Sequence, residues 1–152
     1  MTISFDLDDT IIPGTKRFPT ERQNLIQRGF GLEKIREGTV QLLKDLKSEG
    51  HQILVYTTSY RSASYIRWLF FSYGIWLDGI INQRRHELIL LTDGKLYSKY
   101  PPAFGIDVHI DDSIGVEMEG QRFGFKTIIV AENDMQWQDT VRDSLIALSI
   151  QT

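Results

Sequence analysis

Five aspartates that follow two apolar segments are the residues best suited to chemistry in this sequence: Asp6, Asp8, Asp9, Asp111 and Asp112. Carboxylates this close together repel one another and raise one another's pKa unless a cation lies between them. The chain has no cysteine and no clustered histidine, so its oxygen ligands suit a hard cation such as Mg²⁺ or Ca²⁺. Mg²⁺ commonly binds one or two carboxylates and bridges to phosphate. The alternative, solvated caps at strand ends, explains a single aspartate better than two such clusters.

The spacing of Asp6 and Asp8 suits a reaction that uses two carboxylates. Residues i and i+2 of an extended chain lie on the same side, so both groups can face one substrate. An aspartate can attack phosphorus as a covalent nucleophile. A second carboxylate can donate a proton to the leaving group and later accept one from water.

The pattern of the whole chain explains how these residues come together, because predicted strands and helices alternate. The predicted strands are 3–5, 52–56, 78–82, 107–110 and 126–130, and the predicted helices are 20–27, 37–49, 60–73, 116–124 and one that starts near 133. Residues 86–97 are predicted to form a hairpin around Asp93-Gly94. The alternation predicts an α/β fold, a doubly wound, Rossmann-like parallel sheet with helices on both faces. Asp6, Thr57 and Asp111 would then share the edge where such sheets bind ligands.

Four segments in this order resemble the motifs of the haloacid dehalogenase-like (HAD) superfamily. Residues 5–10, Phe-Asp-Leu-Asp-Asp-Thr, resemble the first motif, and Ile53–Thr57 resembles the second, a strand that ends in Thr or Ser. Lys99 resembles the third motif, a single lysine, and residues 110–112 resemble the fourth, a strand that ends in an acidic pair. The resemblance implies a single HAD-like hydrolase domain over residues 1–152.

The resemblance also implies a role for each matching residue in a Mg²⁺-dependent phosphatase. Asp6 would attack the phosphorus of a phosphomonoester and form an aspartyl phosphate. Asp8 would be the general acid and then the general base. The carboxylates of Asp6 and Asp111 and the backbone carbonyl of Asp8 would hold Mg²⁺. Thr57 and Lys99 would bind the phosphoryl oxygens.

Several of these assignments have alternatives. Thr58 is the alternative to Thr57 as the phosphate ligand, and Lys95 is the alternative to Lys99 as the motif lysine. Asp112 either joins the metal shell, through water, or only supports the loop. Asp9 is expected to be structural, and Thr10 is expected to hydrogen-bond within its loop.

Composition and spacing narrow the function further. The net charge of −3 argues against a general nucleic-acid-binding protein, which would need a surplus of basic residues. A phosphorylated nucleic-acid end stays open as a substrate. The chain has no signal-peptide pattern and no apolar run long enough for a bilayer, so we expect a cytoplasmic protein that does not enter membranes. The intervals between the motifs leave no room for a large cap domain, so the chain resembles the capless group. An open site suits a bulky phosphoester, and the substrate's identity stays unknown.

Two further functions and one further surface stay open. A receiver-like phospho-aspartate signalling module has a similar sheet, but its acidic pair comes first in the chain. A catalytically idle HAD scaffold used for binding is the third reading. The predicted helix 60–73 carries more aromatic side chains than one stripe can bury, so it either covers neighbouring segments or forms a homodimer interface.

Overall fold

A computed structural model describes residues 1–90 and 97–150 of the chain. Its five strands are all parallel and lie in the order β3-β2-β1-β4-β5. The strands are β1 (Thr2–Phe5), β2 (Gln52–Tyr56), β3 (Gly79–Ile81), β4 (Val108–Asp111) and β5 (Lys126–Ile129). The helices in the described part are α1 (Leu25–Gly29), α2 (Thr39–Ser48), α3 (Ala63–Ser72), α4 (Gln83–Leu90), α5 (Ile114–Phe123) and α6 (Trp137–Ile150).

The order of the strands confirms the predicted doubly wound sheet. The chain begins at the central strand β1, builds outward through β2 and β3, and then crosses back to add β4 and β5 on the other side. The direction of winding therefore reverses at β1. In sheets of this kind the crevice at the reversal opens beyond the carboxyl ends of the strands. The five strands and three of the five predicted helices agree with the structure to within about three residues, and the last helix begins at Trp137, about four residues after its predicted start.

Opposite faces of the sheet carry different kinds of side chain. One face is largely apolar, and its residues, including Ile3, Phe5 and Val55, pack with α2, α3 and α6 into the main core. The other face carries Ser4, Tyr56 and His109, all buried. Side chains alternate along a strand, so these three share the second face. The smaller apolar cluster of this face contains Leu54 and Ile81.

The predicted hairpin over residues 86–97 is wrong in its first arm, because residues 83–90 form helix α4. Asn82 accepts a hydrogen bond from the Arg85 backbone N–H at 3.1 Å, which caps the helix. His86 and Leu90, four residues apart, form its buried face. An apolar run of this length is ambiguous between strand and helix, and the cap decides it. The predicted Asp93-Gly94 turn and Lys95 lie outside the described residues.

The helix predicted over 20–27 forms later and is shorter, as α1. Asn24 and Gln27 build a capping box, in which each side chain accepts a hydrogen bond from the other residue's backbone N–H, at 2.8 Å in both directions. This box sets the start of α1 at Leu25. No helix in the described part of the chain is long and apolar enough to cross a membrane.

Candidate active site

Polar side chains from three neighbouring strands meet at one edge of the sheet. Asp6 follows β1 directly and Thr57 follows β2, and their backbone N–H groups continue the ladder to the carbonyls of neighbouring strands, each at 2.9 Å. Asp111 is the last residue of β4. Because the strands are parallel, all three residues lie at the same edge. Their side chains are at least nine-tenths buried, so the edge is the floor of a cleft.

Lys99 lies at the centre of this floor. Its Nζ donates to Asp6 Oδ1 at 2.5 Å and to Asp111 Oδ2 at 2.6 Å, and the lysine is only 3% exposed. Burial disfavours the ammonium, but the two carboxylates outweigh it and raise the pKa of Lys99. The residue reaches the edge from a segment outside the sheet, just before a 3₁₀ turn over Pro101–Phe104. The structure therefore brings Lys99 into the aspartate cluster, and the rival lysine lies outside the described residues.

The two buried carboxylates have opposite protonation tendencies. Burial raises the pKa of Asp6 to about 7, even though the charge of Lys99 opposes the change. Burial also works against ionisation of Asp111, but the hydrogen bond from His109 and the charge of Lys99 outweigh it and hold the pKa of Asp111 well below its usual range. Asp111 is thus ionised at neutral pH. Asp6 is the group whose ionisation a bound cation would complete.

Three carboxylates at this edge could hold a metal ion. One oxygen each from Asp6, Asp111 and Asp112 lies within 4.8 Å of the others. An all-oxygen set that is open on one side fits Mg²⁺, which keeps several waters. The side chain of Asp8 lies outside this group and is partly exposed.

His109 supports Asp111 from the buried face of the sheet. Its Nε2–H donates to Asp111 Oδ2 at 3.0 Å, and Ser4 Oγ–H donates to its Nδ1 at 2.7 Å. Burial, together with the charge of Lys99, lowers the pKa of His109 to about 4, so the ring is neutral. This histidine therefore hydrogen-bonds a candidate metal ligand, an arrangement that fixes ligand orientation in known metal sites.

Asp8 is bound by a residue that the sequence reasoning missed. The guanidinium of Arg61 donates a hydrogen bond to Asp8 Oδ2 at 3.0 Å and forms an ion pair with Asp8 Oδ1 at 2.9 Å. Glu33 holds the same guanidinium through two further hydrogen bonds, at 2.9 and 2.7 Å. Arg61 therefore joins the candidate acid/base to the segment before α2. No motif or spacing marks this pair, because the contact depends on how residues 13–36 cross the edge of the sheet.

Asp112 is engaged by two other side chains in this structure. Thr10 Oγ1 donates to Asp112 Oδ1 at 3.1 Å, and Lys16 Nζ forms an ion pair with Oδ2 at 2.7 Å. The expectation that Thr10 hydrogen-bonds within its own loop is wrong, because its partner belongs to the loop after β4. Asp9 is structural in its contacts, since it accepts hydrogen bonds from Gly14 and Lys16 backbone N–H groups and has a positive φ of 65°.

The two candidate phosphate ligands after β2 differ in their exposure. The hydroxyl oxygen of Thr57 accepts a hydrogen bond from the Ser59 backbone N–H at 3.1 Å, and the residue is 1% exposed. Its hydroxyl proton stays available to a phosphoryl oxygen. Thr58 is exposed and lines the cleft. Both residues lie where β2 ends at the edge of the sheet, so the choice between them stays a prediction.

The cleft above these residues has a volume of about 330 Å³. Asp6, Asp8 and Lys99 line it on the side of the sheet edge, and Ser113 and residues of the first half and middle of α5, among them Glu119, also line it. Cavities of this size hold small ligands. No separate cap domain covers the cleft among residues 1–90 and 97–150; the segment before α2 instead contacts residues beside the cleft, since Lys16 pairs with Asp112 and Glu33 with Arg61.

One solved structure supports the fold assignment. The chain is similar to a HAD-superfamily hydrolase, subfamily IA, variant 1, from Geobacter sulfurreducens PCA, with a TM-score of 0.53 and 16% sequence identity over 84% of this chain and 88% of that chain. No protein-family model and no curated protein sequence matches the chain. A likeness at this identity shows the fold, and the chain therefore has the fold of the haloacid dehalogenase-like hydrolases.

Proposed function

We propose that this protein is a Mg²⁺-dependent phosphatase that hydrolyses a phosphomonoester through an aspartyl phosphate on Asp6. The observation that carries the proposal is the buried ammonium of Lys99 between Asp6 and Asp111 at the reversal point of the sheet. A fixed cation beside a candidate nucleophile neutralises the negative charge that phosphate brings. Fold likeness alone would not support a reaction, so the proposal depends on these side chains.

The reaction follows from the groups at the edge. An oxygen of Asp6 attacks phosphorus while the bond from phosphorus to the ester oxygen breaks, and Asp8 donates a proton to that oxygen. Asp8 then accepts a proton from water as the water attacks phosphorus, and the bond between Asp6 and phosphorus breaks. Throughout, Lys99 and Thr57 hydrogen-bond the transferring group. Mg²⁺, held by Asp6 and Asp111, would supply additional positive charge to the phosphoryl oxygens.

The test is hydrolysis of p-nitrophenyl phosphate with Mg²⁺ or with EDTA, by the wild type and by Asp6→Asn. This variant keeps the shape of the side chain and removes its nucleophilicity. We expect turnover only with Mg²⁺ and a loss of at least ~10³-fold in the variant. Asp107→Asn is the matched control, because Asp107 is exposed at the opposite end of β4 and should stay within about twofold of the wild type. Turnover that persists in EDTA or in Asp6→Asn contradicts the proposal.

One observation favours the phospho-aspartate signalling alternative. Asp8 is held by Arg61, and an acid/base that stayed in this contact would serve hydrolysis of the intermediate poorly. The lifetime of the phosphoenzyme separates the two functions. A phosphatase clears it within each turnover, whereas a signalling module keeps it for minutes or longer. A protein that never forms the phosphoenzyme and binds no beryllofluoride would be an idle scaffold.

A further inference from the structure

The four residues from Tyr97 to Tyr100 are held in place by side chains from three different elements. We propose that Tyr56, His86 and Glu119 are positioning residues that aim Lys99 at Asp6. None of the three touches the candidate nucleophile, and each acts through the backbone beside Lys99. The functional part of this inference rests on the proposed phosphatase reaction, but its structural part can be tested without any activity.

Tyr56 and His86 hold the segment from the β2 side. The Tyr100 backbone N–H donates to the hydroxyl oxygen of Tyr56 at 2.9 Å, and the Tyr56 hydroxyl lies 2.6 Å from His86 Nδ1. His86 Nε2 lies 3.1 Å from the carbonyl oxygen of Tyr97. A carbonyl only accepts, so Nε2 carries the proton and Nδ1 accepts the proton of the Tyr56 hydroxyl. The chain of hydrogen bonds therefore fixes the backbone on both sides of Lys99.

Every donor and every acceptor in this chain of hydrogen bonds has one partner. The backbone N–H of Tyr100 donates, the Tyr56 oxygen accepts and its proton is donated, and the neutral His86 ring accepts and donates once each. His86 is 6% exposed and Tyr56 is fully buried. Burial lowers the pKa of His86, which agrees with the neutral ring that the geometry requires. A buried network with all members paired holds its atoms in one arrangement.

Glu119 holds the same segment from the α5 side. Its Oε2 accepts from the Ser98 hydroxyl at 2.6 Å and from the Lys99 backbone N–H at 3.3 Å. Its Oε1 accepts from the Ser98 backbone N–H at 3.3 Å. Hydrogen bonds to a carboxylate are stronger than those between neutral groups. The backbone N–H groups of three successive residues, 98 to 100, are thus all bound by side chains from β2 and α5.

This support matters because a lysine is a flexible ligand. Its ammonium is carried on a four-carbon stem, and its position depends on where the backbone is held. The Tyr56 ring also lies under the stem, with Nζ 5.9 Å from the ring centroid. The tyrosine therefore limits Lys99 from below and fixes the next residue at the same time. A structural role alone would not require hydrogen bonds on both sides of one buried cation.

The test is Tyr56→Phe, which keeps the ring and removes the hydroxyl. The matched control is Tyr60→Phe, because the Tyr60 hydroxyl also connects the region after β2 to α4, through Glu87 at 2.7 Å, and Tyr60 is exposed. The first readout is the side-chain ¹H–¹⁵N resonance of the Lys99 ammonium in the free protein, identified by its absence in Lys99→Met. We expect Tyr56→Phe to shift or broaden this resonance and Tyr60→Phe to leave it unchanged.

The second readout is hydrolysis of p-nitrophenyl phosphate. Loss of the hydroxyl removes two hydrogen bonds near Lys99, so we expect kcat to fall ~10-fold or more with little change in KM. The control should stay within about twofold. Glu119→Ala, with Glu117→Ala as its control on the same helix, repeats the test at a partly exposed position that tolerates substitution if Tyr56→Phe does not fold.

The outcomes separate the two proposals. If the Lys99 resonance moves but the wild type hydrolyses nothing, the positioning stands and the phosphatase function fails. If the wild type is active and both Tyr56→Phe and Glu119→Ala keep the wild-type kcat, the positioning role is overturned. An unchanged Lys99 resonance in both variants overturns it as well, whatever the activity.

Discussion

Acidification should weaken Mg²⁺ binding far more than it would at a site of carboxylates with ordinary pKa values, because the ligand Asp6 titrates near neutral pH. Burial raises the pKa of Asp6 to about 7, and the other candidate ligand at the buried edge, Asp111, stays ionised. A metal ion that binds the Asp6 carboxylate must displace its proton. For a single group of this pKa, the apparent affinity at pH 5.0 is ~80-fold weaker than at pH 7.5. An unperturbed aspartate would change it by less than about 10% over this interval.

Isothermal titration calorimetry with MgCl₂ at pH 5.0, 6.0 and 7.5 measures this dependence. Asp6→Asn is the control, because its binding should be weaker and independent of pH over the same range. His109, which also lies at the site, has a pKa of about 4 and does not titrate there. Equal dissociation constants at pH 5.0 and 7.5 for the wild type would refute the reasoning, since Asp6 would then be ionised throughout or would not bind the metal.

The raised pKa of Asp6 also predicts how the stability of the metal-free protein depends on pH. A carboxyl whose pKa is raised by folding contributes stability that is fully present below its unfolded value, near 3.8, and is lost as the pH rises through about 7. Asp6 should therefore make the metal-free fold ~2–3 kcal/mol less stable at pH 7.5 than at pH 5.0. The pKa of Asp111 is lowered, so its contribution is lost only at more acidic pH. Urea unfolding of wild type and Asp6→Asn in EDTA measures the difference, which the variant should lack.

Three other substitutions test separate parts of the structure. Arg61→Met releases the Asp8 carboxylate from the guanidinium, so we expect the phosphoenzyme to break down faster and kcat to rise about threefold or more, and an unchanged kcat would show that this contact does not limit hydrolysis. Arg36→Leu removes a buried guanidinium that donates to three backbone carbonyls of the segment before α6, and urea unfolding should show a loss of ~2–4 kcal/mol. Trp68 and Phe71 are 43% and 53% exposed in a row of aromatic rings on α3, so we expect a homodimer. Light scattering should give a dimer for the wild type and a monomer for Trp68→Lys, and a monomeric wild type at tens of micromolar sinks this prediction.

The sheet and its edge could be predicted from sequence because short-range patterns determine them. Apolar runs such as Gln52–Tyr56, each followed by polar residues, predict buried parallel strands, and parallel strands bring their carboxyl ends together. That reasoning predicts Asp6, Thr57 and Asp111 at one edge, and the structure has them there. Lys99 came from the resemblance and the order of the motifs, since nothing in its own neighbourhood predicts that its side chain enters the edge.

The parts that could not be predicted depend on contacts between distant segments. Glu33 and Arg61 meet across 28 positions, and Ser98 and Glu119 across 21. Neither pair has a spacing that a helix or strand would impose. Helix α4 could have been predicted from the Asn82 cap and the four-residue interval between His86 and Leu90, but its apolar run also suits a strand. One signal was available and unused, because a tyrosine that ends an apolar strand indicates a buried hydroxyl that needs a partner.

The buried polar residues of the second sheet face connect the fold to the site. A sheet covered on both sides normally carries apolar residues on both faces, yet three buried polar residues lie on one face of three adjacent strands here, Ser4 on β1, Tyr56 on β2 and His109 on β4. Buried polar groups destabilise a fold unless they are paired. Each of these has a partner, and each chain of hydrogen bonds leads to the site: Ser4 and His109 to Asp111, and Tyr56 to the segment that carries Lys99. Local rules for a stable sheet fail at these positions, and proteins break such rules mainly at functional sites. The charged edge is therefore supported by a polar layer beneath it, so substitutions one or two residues below the edge should act on the reaction as well as on stability.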